Sequence, residues 1–305
     1  MNKISETAYL VAMYRALESE RPDALFRDSW ARLLAGGKGL ILAEMLGAKT
    51  QAANIVATRT YLIDRTLEQL IRSQPIDTVV NLGAGLDTRP YRLSLPPSLQ
   101  WIEVDLPDIL LYKETQLQKL KPLCQLKRVR LDLANLELRK VLFAEISATA
   151  GEVLVITEGL LSYLSEEQVS LLAEDLRRQP NFRWWLFELI SAFGRAQIPL
   201  QWRERLFHQY FSNNNNTSVF LFNPEQGLDF FQQRGWKIAR FYSAWKESRR
   251  LKRGLKFAAL LELLLRWFAR QYWQALEQQI GVALLERSIP ISDRSSLPTI
   301  FNTQA

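Results

Sequence analysis

The 305 residues carry 39 Lys and Arg against 32 Asp and Glu, a net charge of +7, and 48% of them are hydrophobic, enough for one large domain or two small ones with a packed core. The single cysteine, Cys124, has no partner for an internal disulfide, so a cytoplasmic compartment is expected. The single histidine, His208, excludes metal sites built from several His or Cys ligands and allows at most one Ser-His-Asp triad, so no metal is implied.

Glu6, Arg15 and Glu18 interrupt the apolar positions of the first twenty residues, which read as an amphipathic helix and not as an export signal. Apolar residues recur at helical spacing over 7–17, 22–34 and 51–71. Pro22 divides the first two helices, Gly36 and Gly37 stop the second, and Pro75 follows the third. Residues 1–74 are thus expected to form a helical lid.

After Pro75 short apolar runs alternate with helical segments. Strands are predicted at 76–82, 100–104, 127–131, 152–157 and 183–190, with helix starts marked by Pro107, by Ser165 with Gln168 as a capping box, and by Asn223-Pro224. This alternation predicts an α/β fold, a mostly parallel sheet with helices on both faces, over residues 75–305. The last two strands are expected at 236–243 and 281–287, separated by a helical insertion near 245–280, and the Asn213–216 tract reads as an exposed loop.

Ten basic residues against Glu247 and Glu262 fall between Lys237 and Arg270, leaving the rest of the chain near neutral. A single cluster of this kind argues for a local anion or membrane-surface feature and against nucleic acid. The Leu-rich stretch 249–276 fits either an amphipathic helix making peripheral membrane contact or, as favoured here, a buried helix with snorkelling basic ends. No run of eighteen uncharged apolar residues is present.

The densest chemistry lies where the first strand turns into a helix, in Asn81-Leu82-Gly83-Ala84-Gly85-Leu86-Asp87-Thr88-Arg89. Gly83 and Gly85 allow a tight turn and a close ligand approach, and Asp105, twenty residues after Gly85, closes the second strand where a carboxylate can accept from ribose hydroxyls. A dinucleotide fingerprint would place a third glycine at Thr88, and Asp87 would repel a pyrophosphate. S-adenosylmethionine, with an adenosine, no phosphate and a cationic sulfonium, suits the motif better. Asp132 at the third strand's end can accept from an exocyclic amine or cap a helix, and Leu133 can pack on a purine face. Glu158 follows four apolar residues of a central strand, a costly place for a carboxylate without a partner. Arg89 and Arg92, beside Asp87, are expected to form ion pairs.

Residues 79–93 (VVNLGAGLDTRPYRL), 101–107 (WIEVDLP), Asp132-Leu133 and 156–164 (ITEGLLSYL) resemble the successive motifs of the leucine carboxyl methyltransferase family. So do Arg15-Ala16-Leu17-Glu18, the stretch Pro22 to Asp28, Thr58-Arg59-Thr60 and Ile63-Asp64. The resemblance runs over about residues 5–190. It implies the Rossmann-like class I methyltransferase fold and S-adenosylmethionine-dependent methyl transfer to an oxygen of a small molecule. By motif, Gly83 and Gly85 would line the cofactor, Asp105 hold its ribose, Asp132 and Leu133 meet its adenine, and Arg59 pair with its carboxylate. Glu158 would sit beside its amino group and the reacting centre, with Tyr163 lining the acceptor pocket or serving the core. A carboxylate acceptor is preferred, because it is already an anion and needs no base such as histidine. The alternatives are a nicotinamide-dependent oxidoreductase and a non-enzymatic membrane- or partner-binding protein on the same fold.

Overall fold

The computed structural model describes residues 6–46, 51–190, 221–254, 267, 277 and 280–288. Helices α1 (Glu6–Ser19), α2 (Ala31–Leu46) and α3 (Gln51–Ser73) precede β1 (Ile76–Leu82). There follow α4 (Arg89–Arg92), β2 (Gln100–Asp105), α5 (Pro107–Leu117), β3 (Gln125–Arg130), α6 (Leu136–Thr149) and β4 (Glu152–Thr157). A short 3-10 turn (Leu161–Tyr163) leads to α7 (Glu166–Arg178) and β5 (Phe182–Ile190), and the remaining described elements are α8 (Asp229–Gln232), β6 (Trp236–Ser243), α9 (Ala244–Arg250) and β7 (Ile280–Arg287).

The seven strands lie in the order β3-β2-β1-β4-β5-β7-β6. The first five are parallel, and β7 runs antiparallel to both β5 and β6. The mostly parallel sheet and its class I methyltransferase fold are as expected, and all seven strands form at the predicted positions within two residues. Parallel order places the carboxyl ends of β1, β2, β4 and β5 along one edge, where a ligand crevice opens.

Because β1 is buried on both faces, its residues divide between two cores. Val80 and Leu82 join Phe143, Leu172, Trp185 and Trp236 on one face, while Val79 packs with Leu62, Ile63, Leu67 and Trp184 under α3 on the other. A third core, with Tyr9, Met13, Leu34 and Ile109, joins α1 and α2 to α5. The Ser165–Gln168 capping box forms with both of its hydrogen bonds at the start of α7, and Pro107 takes the first turn of α5.

The N-terminal helices depart from the expectation. Residues 22–30 are turns, because Glu18 Oε1 accepts from Leu25 N–H at 2.8 Å and Asp28 Oδ1 from Trp30 N–H at 3.3 Å, which gives this backbone side-chain partners in place of a helical ladder. Helix α2 therefore starts at Ala31 and continues to Leu46. Gly36, at φ +54° and ψ −162°, is non-helical and divides α2 into two helical segments across a kink, so the stop expected there is present. At Asn223-Pro224 a turn forms, with Gly227 N–H donating to Pro224 O, and the short α8 begins at Asp229. His208, the Asn213–216 tract and most of 249–276 lie outside the described residues. Among the described residues no helix is long and apolar enough to cross a membrane.

Candidate functional site

The turn after β1 is built as its glycines require. Gly83 (φ +68°) and Gly85 (φ +44°) both adopt left-handed backbone, where a side chain is strained, and a Cβ on Gly83 would press on Leu160 at 3.2 Å. Gly83 N–H donates to Val104 O at 2.8 Å, which ties the turn to β2. Asp105 closes that strand, and its Oδ2 accepts from Gly85 N–H at 2.6 Å while Oδ1 accepts from Leu106 N–H at 2.7 Å. Burial raises the Asp105 carboxyl above its ordinary value, and these two backbone donors offset that only in part.

Around this turn lies a cavity of about 320 Å³, roofed by α1 and α3 and floored by the strand ends. Thr7, Ala8 and Arg15 of α1, Arg59 of α3, Gly83 through Asp87, Asp105, Glu158, Tyr163 and Glu188 all line it. Six of the eight expected site residues, Arg59, Gly83, Gly85, Asp105, Glu158 and Tyr163, thus share one wall. Asp132 and Leu133 are not in that wall. Asp132 is exposed, and its Oδ1 accepts from Ala134 N–H at 2.9 Å in an Asx turn, while Asn135 caps α6 in its place.

The charged side chains beneath the cavity form one continuous network. Arg15 Nε pairs with Asp28 Oδ2 at 2.9 Å, and Thr88 Oγ donates to the same oxygen at 2.7 Å. Arg92 Nη1 reaches Asp64 at 2.6 Å, and Arg89 spans Asp64 at 2.6 Å, Asp87 at 2.8 Å and Glu158 at 2.7 Å. Arg59 then joins Glu158 Oε1 at 2.9 Å to Glu188 Oε1 at 3.3 Å. The sequence motifs scattered over the first half of the chain therefore meet in space as the members of this network, and Arg89 and Arg92 form the ion pairs expected of them.

Two carboxylates take their character from this network. Asp87 is engaged by Arg89 and by Asn81 Nδ2 at 2.8 Å, so its carboxylate, held far below the ordinary range, is compensated and leaves no free negative charge in the cavity. Burial pushes the Glu158 carboxyl up, yet Arg89 and Arg59 outweigh it and the group lies below its ordinary value. Glu158 is therefore a clamped anion, and the raised value that would suit a general base is absent there.

That raised value belongs to Glu188, at the end of β5, which the sequence reading passed over. Burial raises it, Arg59 opposes, and Glu158 adds to the rise. The signal was available, since Glu188 follows four apolar residues in 184–187 just as Glu158 follows residues 153–156. Tyr163 O–H donates to Thr7 Oγ at 3.0 Å and so fastens the 3-10 turn to α1. Cys124 lies in the core under α3, where burial pushes its thiol up to about 11.

The model of the family described as leucine carboxyl methyltransferase matches residues 8–177. A Streptomyces coelicolor A3(2) protein bearing the name "Putative S-adenosyl-L-methionine-dependent methyltransferase" is 34% identical over 185 residues, 57% of this chain and 64% of its own. A protein of the same name from Parafrankia sp. EAN1pec is 36% identical over 189 residues, 57% of this chain and 59% of its own. The chain thus spans less than two thirds of either relative. A solved DUF574-family structure from Streptomyces avermitilis MA-4680 shares the fold at a TM-score of 0.54 and 14% identity, over 92% of this chain and 97% of that one.

Proposed function

The chain belongs to the leucine carboxyl methyltransferase family, and from that membership we propose that it transfers a methyl group from S-adenosylmethionine to an oxygen of a small molecule, specifically a carboxylate. The observation that carries the reading is the meeting, in one cavity, of the Gly83–Gly85 turn, Asp105 and the Arg59–Glu158 pair beneath α1. The cavity suits the cofactor in each part. Each Asp105 oxygen holds one backbone donor and keeps lone-pair capacity for a ribose hydroxyl. Glu158 is an anion at neutral pH and can receive an ammonium, and Arg59 can offer its planar fork to a carboxylate. Asp132 and Leu133 remain assigned to the adenine end, at the neighbouring tip of β3.

Held by the Gly83–Gly85 turn, Asp105 and the Arg59–Glu158 pair, the cofactor would supply an electrophilic methyl for the acceptor oxygen, its sulfur keeping the S–C bond pair. The chain's own part is to hold the acceptor in line, exclude water under α1 and α3, and keep Glu158 charged beside the reacting centre. A carboxylate acceptor fits this division, since no proton has to move. Calorimetry should show S-adenosylhomocysteine binding in the micromolar range, roughly −8 kcal/mol. Heat from a nicotinamide dinucleotide and none from S-adenosylhomocysteine would overturn the assignment. For the acceptor, a product labelled from methyl-tritiated cofactor should release volatile methanol under mild alkali, and a base-stable label would remove the carboxylate.

A further inference from the structure

A second cavity, of about 150 Å³, opens on the far side of Arg59 and Glu188, between the ends of β5 and β7, α3 and α9. Its wall is largely apolar, with Ile55, Leu62, Leu189 and Val282 among the lining residues, and it shares Arg59, Glu188 and Ile190 with the first cavity. A void of that size holds a group comparable to benzene.

Two buried polar atoms in this wall have no hydrogen-bond partner among the described residues, Thr58 Oγ and Glu188 Oε2. Their chemistry differs from that of Asp87 and Glu158, whose carboxylates are matched by arginines. Glu188 Oε1 accepts from Gly159 N–H at 2.7 Å and lies 3.3 Å from Arg59 Nη1, while Oε2 accepts nothing. With a backbone donor and a guanidinium on Oε1 and no partner on Oε2, Oε2 is the carboxyl atom that a ligand in this cavity can engage.

The facing groups support this. Arg59 approaches from α3, but it is divided between Glu188 and Glu158, and Glu158 adds negative charge from the end of β4. Tyr163 faces Glu188 from the 3-10 turn. From the α9 side Arg249 and Arg253 border the cavity, and Arg253 is already paired with Glu18 and Asp23. Burial raises the Glu188 carboxyl, so the proton on Oε2 is retained at higher pH than usual.

Resting on the methyltransferase reading, we propose that this second cavity is the acceptor chamber, that it takes a small aryl or branched alkyl monocarboxylate, and that the Glu188 carboxyl and the Thr58 hydroxyl, whose Oε2 and Oγ are unpartnered in its wall, donate hydrogen bonds to the carboxylate oxygen that is not methylated. The hydroxyl groups of both residues are donors that a carboxylate can satisfy, and the borders of the cavity are cationic. With the second oxygen held there, the first is left free for the methyl carried in the adjoining cavity.

The probes are phenylacetate and its near-isosteric alcohol 2-phenylethanol, titrated into the full chain saturated with S-adenosylhomocysteine. Prior saturation, read by its own heat, tests the parent reading separately. Phenylacetate should bind at least about tenfold more tightly than the alcohol, a gap of roughly 1.4 kcal/mol, and should weaken by about tenfold per pH unit above the Glu188 pKa as the donor proton is lost. Glu188→Gln, which keeps an N–H donor, should retain binding and lose that pH dependence. Infrared difference spectra of wild type against Glu188→Gln, followed as pH rises, should show a protonated-carboxyl C=O band in the wild type alone that persists above the ordinary carboxylate range. The proposal is overturned if phenylacetate fails to bind the saturated protein, if the alcohol binds as tightly, if phenylacetate binding strengthens with pH, or if no acid band is found. Tighter binding of the alcohol with loss of it in Glu188→Gln would instead make Glu188 a base toward a hydroxyl.

Discussion

On the α1 side of Arg59 the cavity rests on an ionic network. Asp28, Asp64, Asp87 and Glu158 are each held by at least one buried arginine at 2.9 Å or less. On the α9 side the wall is largely apolar, and Thr58 Oγ and Glu188 Oε2 within it have no hydrogen-bond partner among the described residues. The first arrangement fixes geometry before any ligand arrives, because moving one side chain strands the charge of another. The second leaves hydrogen-bonding capacity that a ligand can complete. Two acids sharing Arg59 thus acquire opposite character. Glu158 is lowered by Arg89, Arg59 and Arg15 against its burial, whereas at Glu188 burial and Glu158 outweigh Arg59 and the backbone donors.

The largest expected effect breaks the ionic side at its centre. Arg89 is 2% exposed and contacts three carboxylates. Arg89→Ala leaves all three without it, and urea unfolding should show a loss of about 3 to 5 kcal/mol, the range for stripping one partner from a buried pair. A loss under about 1 kcal/mol would mean that solvent already screens the network. Next in size, Asp105→Ala should weaken S-adenosylhomocysteine binding by about 1.5 to 3 kcal/mol through lost charge-assisted hydrogen bonds. An unchanged affinity would remove Asp105 from the ribose site.

Much of the ionic side was legible in the sequence because its parts are local. Gly83, Gly85 and Asp105 stand at two adjacent strand ends, and a strand-turn-helix pattern is enough to place them. Arg15, Asp28 and Asp64 carry no such pattern of their own, and they enter the site through helix packing and through the turns at 22–30 that helical periodicity concealed. The apolar side was hidden for a different reason. It depends on β7 inserting antiparallel between β5 and β6, and strand direction leaves no mark on an apolar run. Glu188 carried the same warning as Glu158, a carboxylate closing an apolar strand, but it lacked a neighbouring motif. Asp132 shows the converse, a motif residue that the fold leaves exposed, with its side chain on its own backbone.

A smaller effect sharpens the contrast between the two acids through pH. The folded pKa of Glu158 is below its ordinary 4.5, so its stabilisation is complete above about 4.5 and fades as acid passes through the folded value. Glu188 is raised, so its contribution is greatest below 4.5 and is lost as pH climbs through its folded value. At neutral pH Glu158→Gln should therefore lower stability by about 1 kcal/mol, and Glu188→Gln should be neutral or stabilising. Urea midpoints measured across the acid-to-neutral range for both variants decide it, and equal destabilisation by the two would erase the distinction.

The smallest expected effect is a control on α3 itself. Arg59 and Arg65 lie on one helix six residues apart, but Arg59 has 17% of its side chain exposed between two carboxylates, whereas Arg65 is exposed and its Nη1 only donates to Tyr61 O–H at 3.2 Å. Arg65→Lys should change stability and cofactor affinity by less than about 0.5 kcal/mol, as surface substitutions do. Arg59→Lys keeps the charge but loses the planar fork that reaches Glu158 and Glu188 together, so it should weaken S-adenosylhomocysteine binding measurably in the same titration. Equal tolerance at the two positions would show that charge alone is required at Arg59, and the boundary between the cavities would then need no particular geometry.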